Sequence, residues 1–165
     1  MVEINIMRSA MVITVSDRAS KGIYEDLSGP LLAQGLVEQG YNVTQTFLIP
    51  DEFDEITNVL TQAISNQVRL VVTTGGTGVS PRDITPEATM PFIEKLIPGF
   101  SESIRAQGRE KNDKSDLSRA VAGINGKTLI INLPGSQGGV RDGLKVISRL
   151  AGHILEQLDG ADHVN

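Results

Sequence analysis

The chain has 165 residues with 15 basic and 20 acidic side chains, a formal net charge of −5, 39% apolar residues and no cysteine. That length can bury a core and reads as one domain over residues 1–165, while the missing thiols exclude disulfides, thiolate nucleophiles, iron–sulfur clusters and cysteine zinc sites. A net negative chain with 4% aromatic residues lacks the basic stripe and stacking platforms that suit nucleic acid, and its apolar runs fall far short of the roughly 20 residues that span a bilayer, so the expectation is a cytoplasmic chain with neither nucleic acid nor membrane as partner.

Ala10–Ser16 is apolar and β-branched, as a strand covered on both faces should be. Asp26–Gln39 reads as a helix, with Leu27, Leu31, Leu32, Leu36 and Val37 on one face, Pro30 in its first turn and Gly40 as its stop. Tyr41–Ile49 alternates with polar residues and is expected near a sheet edge; Pro50 ends it, and Asp51 is placed to cap a helix carrying Phe53, Ile56, Val59, Leu60, Ala63 and Ile64. Arg69–Thr74 is a buried strand, so the first half predicts a right-handed parallel βαβαβ unit. After a glycine-rich loop at Gly75–Gly78, Thr85–Pro86–Glu87 opens a helix expected to reach about Leu96, broken by Pro98–Gly99 and followed by a short helix to about Gln107. The charged run Gly108–Asp116 predicts a mobile surface loop. Ala120–Ile124 and Lys127–Asn132 flank Asn125–Gly126, the preferred pair for a hairpin turn, so one antiparallel strand joins the sheet. A long amphipathic helix from about Val140 to Leu158 closes the chain.

Two nucleotide fingerprints fail on inspection. Gly126–Lys127–Thr128 ends like a phosphate-binding P-loop, but Val121 stands where its first glycine belongs and the tripeptide sits in a hairpin turn. Gly76–Thr77–Gly78 begins like a dinucleotide fingerprint, yet Pro81 replaces the third glycine. Of the two histidines, His153 and His163, the former reads as an ordinary residue of the closing helix, since a lone histidine carries no mechanism.

Convergence is the stronger signal. Ligands of open α/β sheets bind outside the carboxyl ends of the strands, and there this chain places Ser16–Asp17–Arg18, Asp51, the loop Gly75, Gly76, Thr77, Gly78 continuing through Ser80 to Arg82 and Asp83, and Leu133–Pro134–Gly135–Ser136. Glycine amides, hydroxyls and arginines suit phosphate oxygens. Carboxylates on the same rim would repel a phosphate unless a hard cation such as Mg²⁺ lay between them. Taken singly, Asp51 as a helix cap, Asp83 as a turn cap or partner of Arg82, and Asp17–Arg18 as a surface ion pair are each ordinary alternatives.

Ser16–Asp17–Arg18, Glu25–Asp26–Leu27–Ser28–Gly29–Pro30, Pro50–Asp51, TTGGTG at Thr73–Gly78, Arg82–Asp83–Ile84–Thr85–Pro86–Glu87 and NLPGS at Asn132–Ser136 together resemble the molybdenum cofactor biosynthesis family, in its single-domain bacterial Mog/MoaB branch. The resemblance implies an α/β fold of three layers, α/β/α, with a mostly parallel sheet, a homotrimer, and adenylylation of molybdopterin by ATP with Mg²⁺. It also implies catalytic and metal-binding roles for Asp51 and Asp83, substrate contacts from the other rim residues, and a molybdenum insertase as a downstream partner; this chain has no room for an insertase domain of its own. A non-catalytic molybdopterin-binding or scaffolding protein of the same family is the alternative. Where the family continues LPGS with proline, this chain has Gln137–Gly138–Gly139, which is expected to loosen that loop.

Overall fold

The computed structural model describes residues 7–160; His163 lies outside them. Six strands form one sheet in the order β2-β1-β3-β6-β5-β4: β1 (Ser9–Val15), β2 (Asn42–Ile49), β3 (Leu70–Thr74), β4 (Lys95–Leu96), β5 (Ala122–Asn125) and β6 (Thr128–Leu133). The helices are α1 (Asp17–Ser20), α2 (Ser28–Glu38), α3 (Phe53–Ser65), α4 (Thr85–Thr89), α5 (Pro98–Arg109) and α6 (Gln137–Leu158). β1 pairs in parallel with both β2 and β3, and β3 with β6. β5 pairs antiparallel with β6 and with β4, so β5 alone runs against the rest.

Period-two alternation divides the core. Ala10 and Val12 of β1, Leu70 and Val72 of β3, and Leu129, Ile131 and Leu133 of β6 pack with Leu32 and Leu36 of α2, Phe100 of α5 and Val146 and Ile147 of α6. Met11, Ile13 and Val15, with Val71 and Ile130, face Ile56, Val59 and Leu60 of α3 and Ala88 of α4. The result is the expected three-layer arrangement with a mostly parallel sheet. β2 is at the edge, as its alternating polarity predicts. No helix among the described residues is long and apolar enough to cross a membrane.

Several local expectations are corrected. The helix from Thr85 stops at Thr89 and passes into a 3-10 turn at Met90–Phe92, because Pro91 supplies no N–H and its ring clashes with the preceding turn. The short strand β4 occupies part of the span read as helix. Pro98 opens α5 at a first-turn position and does not merely end what precedes it. The charged run after Gly108 is ordered: Asp113–Leu117 forms a 3-10 helix capped by Asn112, Arg109 pairs with Asp116 at 2.6 Å, and Lys111 reaches the buried Asp142 of α6 at 3.0 Å. In the hairpin, Asn125 pairs with Thr128, so the turn residues are Gly126 and Lys127, and Gly126 takes the positive φ of 54°. This turn cannot act as a P-loop, which joins a strand to a helix.

At the amino ends of the parallel strands, Arg8 and Arg69 both bond Asp159, the residue that ends α6, at 3.3 Å and 2.9 Å. The other end of the sheet is flush. Val15 aligns with Ile49, and Thr74 aligns with both Thr14 and Leu133.

Candidate active site

This register brings four strand exits onto one rim. Ser16 leaves β1 and caps α1, its hydroxyl accepting the Ala19 N–H at 3.1 Å. Asp51 leaves β2, but α3 begins beyond it with Glu52 as the capping residue, and Asp51 does not cap it. Its Oδ2 accepts the Asp17 N–H at 2.8 Å while its own N–H donates to Asp17 Oδ1 at 3.0 Å. The helix-cap explanation of Asp51 therefore fails, and the two aspartates lock the exits of β1 and β2 together.

Gly75 follows β3 with φ of 101°, and a Cβ there would collide with the Val15 carbonyl. Only glycine lets the chain cross the end of β1 this closely. Gly135 lies against it, since a Cβ on Gly135 would be 3.1 Å from Gly75 Cα. The Pro134–Gly135 turn is held from below: Thr74 Oγ1 donates to Pro134 O at 2.7 Å and Ser28 Oγ to Gly135 O at 2.8 Å. Beneath the rim, the buried Asn132 amide donates to Thr73 and Thr89 at 3.0 Å and 3.1 Å. Ser136 caps α6 by accepting the Gly139 N–H at 3.0 Å. Gln137–Gly138–Gly139 is thus the first turn of a helix, not a loosened loop, and Gly139 fits because a Cβ would stand 2.7 Å from Pro134.

Two clefts meet on this rim. One, of about 430 Å³, is lined by Ser16, Tyr24, Asp26, Ser28 and Asp51; the other, of about 480 Å³, by Thr77, Gly78, Lys111, Lys114, Ser115 and Ser118. Gly75, Gly76, Asp83, Gly135 and Ser136 border both. Each volume suits a small organic ligand, and the 22-residue α6 starts at the shared ridge, where the free N–H groups and dipole of a helix start favour anions.

Of the remaining candidates, Asp17 binds Arg82 (2.9 Å to Nε), and Arg82 also reaches Glu52 at 2.6 Å. Arg82 therefore pairs with neither Asp83 nor Asp51. Arg18 does not line either cleft; its guanidinium lies 5.2 Å over the Tyr24 ring. Ser80 supplies its N–H to Asp83 Oδ2 at 3.0 Å, so Asp83 does close a turn. His153 is exposed and bonds Gln157. The sequence reading missed Tyr24, Glu25, Asp26 and Ser28 as cleft residues, although their segment stands out as a motif, and it missed Lys111 to Ser118 altogether. The missed signal was direction. A strand that runs antiparallel must be entered from the rim, so the residues before β5 belong there.

Burial pushes the Asp51 carboxyl above the usual carboxylate range; the Asp17 N–H opposes this, and the charges of Asp17 and Asp83 add to it. The hydrogen bonds from Arg82 hold Asp17 below its usual range. Asp51 Oδ1 and Asp83 Oδ1 accept no hydrogen bond among the described residues, and the buried Thr85 hydroxyl beside Gly76 is also unpartnered. The glycine loop runs between the two carboxylates: a Cβ on Gly76 would be 2.9 Å from Asp51 Oδ1, and one on Gly78 2.7 Å from Asp83 Oδ2. The described residues hold no cluster of three or more His, Cys, Asp or Glu able to bind a metal alone. Two carboxylates with open oxygens suit a hard divalent cation that draws its other ligands from phosphates and water.

Residues 11–153 match the family described as a probable molybdopterin binding domain. The chain is 45% identical over 139 residues to the molybdopterin adenylyltransferase of Helicobacter pylori, covering 82% of this chain and 79% of that protein. A solved structure described as the anomalous substructure of MogA matches with a TM-score of 0.88 and 44% identity, covering 92% of this chain and 99% of that one. The molybdenum cofactor biosynthesis bifunctional protein of Synechococcus elongatus is 38% identical over 154 residues, 93% of this chain but 48% of that longer protein.

Proposed function

Because this chain belongs to the molybdopterin-binding family of molybdenum cofactor biosynthesis proteins, we propose that it adenylylates molybdopterin, using ATP with Mg²⁺ and releasing pyrophosphate. One observation carries the reading: two ligand-sized clefts share a single border of glycine amides, Ser136 and Asp83. A transfer between two substrates requires two sites that meet where the bond is made.

In this reaction an oxygen of the molybdopterin phosphate attacks the α-phosphorus of ATP, and the bond from that phosphorus to the bridging oxygen of pyrophosphate breaks. Both partners are anionic, so catalysis is mainly alignment and charge neutralisation. The amides of Gly76, Thr77 and Gly78, the Ser136 hydroxyl and the start of α6 hold phosphate oxygens between the clefts, while the Gly75 N–H is taken by Leu133 O at 3.0 Å. Thr77, though largely buried, lines the second cleft and adds a hydroxyl beside this cradle. Asp51 and Asp83 would hold Mg²⁺, which when bound neutralises phosphate charge. Asp17 orients Asp51 through the paired main-chain bonds, and Arg82 screens Asp17 from incoming phosphate. The product would pass to a molybdenum insertase; a bifunctional molybdenum cofactor biosynthesis protein, about half of which this chain covers, is consistent with a second activity linked to this one. The reaction belongs in the cytoplasm, where ATP is available, with the chain acting as one domain in a homotrimer.

The test is mass detection of adenylylated molybdopterin after incubation with molybdopterin, ATP and Mg²⁺, on wild type and Asp83→Asn. Asparagine keeps an acceptor for the Ser80 N–H, so the turn and molybdopterin binding should survive while turnover falls on the order of 10²-fold or more. Wild-type turnover in the variant returns Asp83 to a turn cap. Molybdopterin bound with no product from wild type favours the scaffolding alternative.

A further inference from the structure

Arg119 stands just before β5 and lines neither cleft. All of its bonds nevertheless go to the segment carrying Asp83. Its backbone N–H donates to Thr77 O at 2.8 Å, Nε to Gly78 O at 2.7 Å and Nη2 to Asp83 O at 3.1 Å, while Nη1 pairs with Glu87. Burial alone would raise the Glu87 carboxyl, but the Arg119 hydrogen bond and charge hold it below its ordinary value.

From Gly78 to Ile84 the chain is neither strand nor helix, and its internal ties are the pair between Ser80 and Asp83. Val79, Ser80, Pro81 and Arg82 are exposed; the tip of the turn is tied to the rim by Arg82 through Asp17 and Glu52, and its two flanks are held separately. The two flanks of the turn, Gly78 O and Asp83 O, are bridged by one guanidinium.

We propose that Arg119 is a positioning residue for Asp83, clamping both flanks of the turn so that the carboxylate stays fixed at the border of the two clefts. This rests on the adenylyl transfer reading. Arginine is suited because its planar fork supplies several donors in fixed directions, whereas an ammonium is a single point. The ion pair with Glu87 is solvent-facing and contributes little by itself, so the role is geometric.

The experiment compares wild type, Arg119→Met and Arg119→Lys in the full chain. Amide hydrogen exchange is followed over residues 76–84 in the free protein, together with kcat, KM for ATP, molybdopterin affinity and melting temperature. In Arg119→Met, exchange in this segment should rise about tenfold with β1 and β3 unchanged. Its kcat should fall roughly 10- to 100-fold, with molybdopterin affinity within about threefold because the amide cradle and α6 remain. Arg119→Lys should fall between, and it carries the comparison if the methionine variant fails to fold. Unchanged exchange overturns the proposal, as does faster exchange with wild-type kcat, or full rescue by lysine, which would mean that charge alone matters. A wild type that binds both substrates without making product sinks the reaction instead, while the exchange comparison still decides whether Arg119 holds the loop.

Discussion

Adding one methyl group at Gly76 separates backbone strain from damage to the site. Gly76 has φ of 65°, and a Cβ there would collide with the Thr85 hydroxyl and stand 2.9 Å from Asp51 Oδ1. Gly126 in the hairpin has φ of 54°, with nothing within 4 Å of its Cβ position. Gly126→Ala therefore meets only the left-handed backbone penalty, about 1–2 kcal/mol, or roughly 2–8 °C in melting temperature for a chain of this size. Gly76→Ala carries the same penalty plus overpacking against a fully buried Thr85, a further 1–3 kcal/mol or so, for a total drop of roughly 4–20 °C. Relief of the clash displaces Asp51 by something near an ångström, enough to lower turnover about 10²-fold. Thermal unfolding and adenylyl transfer on both variants provide the measurement. Turnover should be lost at Gly76 and kept at Gly126. Equal melting temperatures with full turnover in Gly76→Ala would refute the argument that the glycine loop and the Asp51 carboxylate share one packed volume.

In the proposed reaction Asp51 acts as the carboxylate, so its raised pKa predicts an acid limb of turnover above the ordinary carboxylate range; Asp17→Asn, which removes a nearby negative charge, should move that limb to lower pH, whereas a limb set by substrate phosphate would stay. A raised folded pKa contributes stability at low pH that is lost as pH rises through it, so Asp51→Asn should melt higher than wild type at pH 7, with the difference closing below the unfolded value of 3.8; a lower melting temperature at pH 7 would contradict the burial argument. Light scattering at micromolar concentration should give the mass of a trimer, and a monomer would remove that expectation without affecting the rim.

The layered architecture was legible because β1, β3 and β6 are apolar on both faces and α2, α3 and α6 each carry one apolar stripe. The rim was legible for a different reason: strand exits of a parallel sheet share an edge, so Asp51, Gly75 and Gly135 could be placed together without knowing any contact. What was not legible depends on long-range partners. Arg82 reads as a partner for Asp83 in sequence but reaches Asp17 and Glu52 in space. Lys111 looks like part of a solvated tract until Asp142 is placed beneath it. Pro91, by contrast, is a local signal for the end of the helix at Thr89, since a proline inside a helix removes a hydrogen bond and clashes with the preceding turn.

The clasp of Arg8 and Arg69 on Asp159 has a consequence for how this fold can be joined to others. α6 is about 33 Å long, and it carries the chain from the ridge between the clefts back to the residue beside the start of β1. Both ends of the described chain therefore lie together on the side of the sheet away from the reacting groups. A second domain could be tethered at either end, or the two ends linked and the chain reopened elsewhere, without shading the clefts. In a fused polypeptide the mouths of the two clefts would remain free to face a neighbour, with the reach between them set by linker length and not by remodelling of the rim.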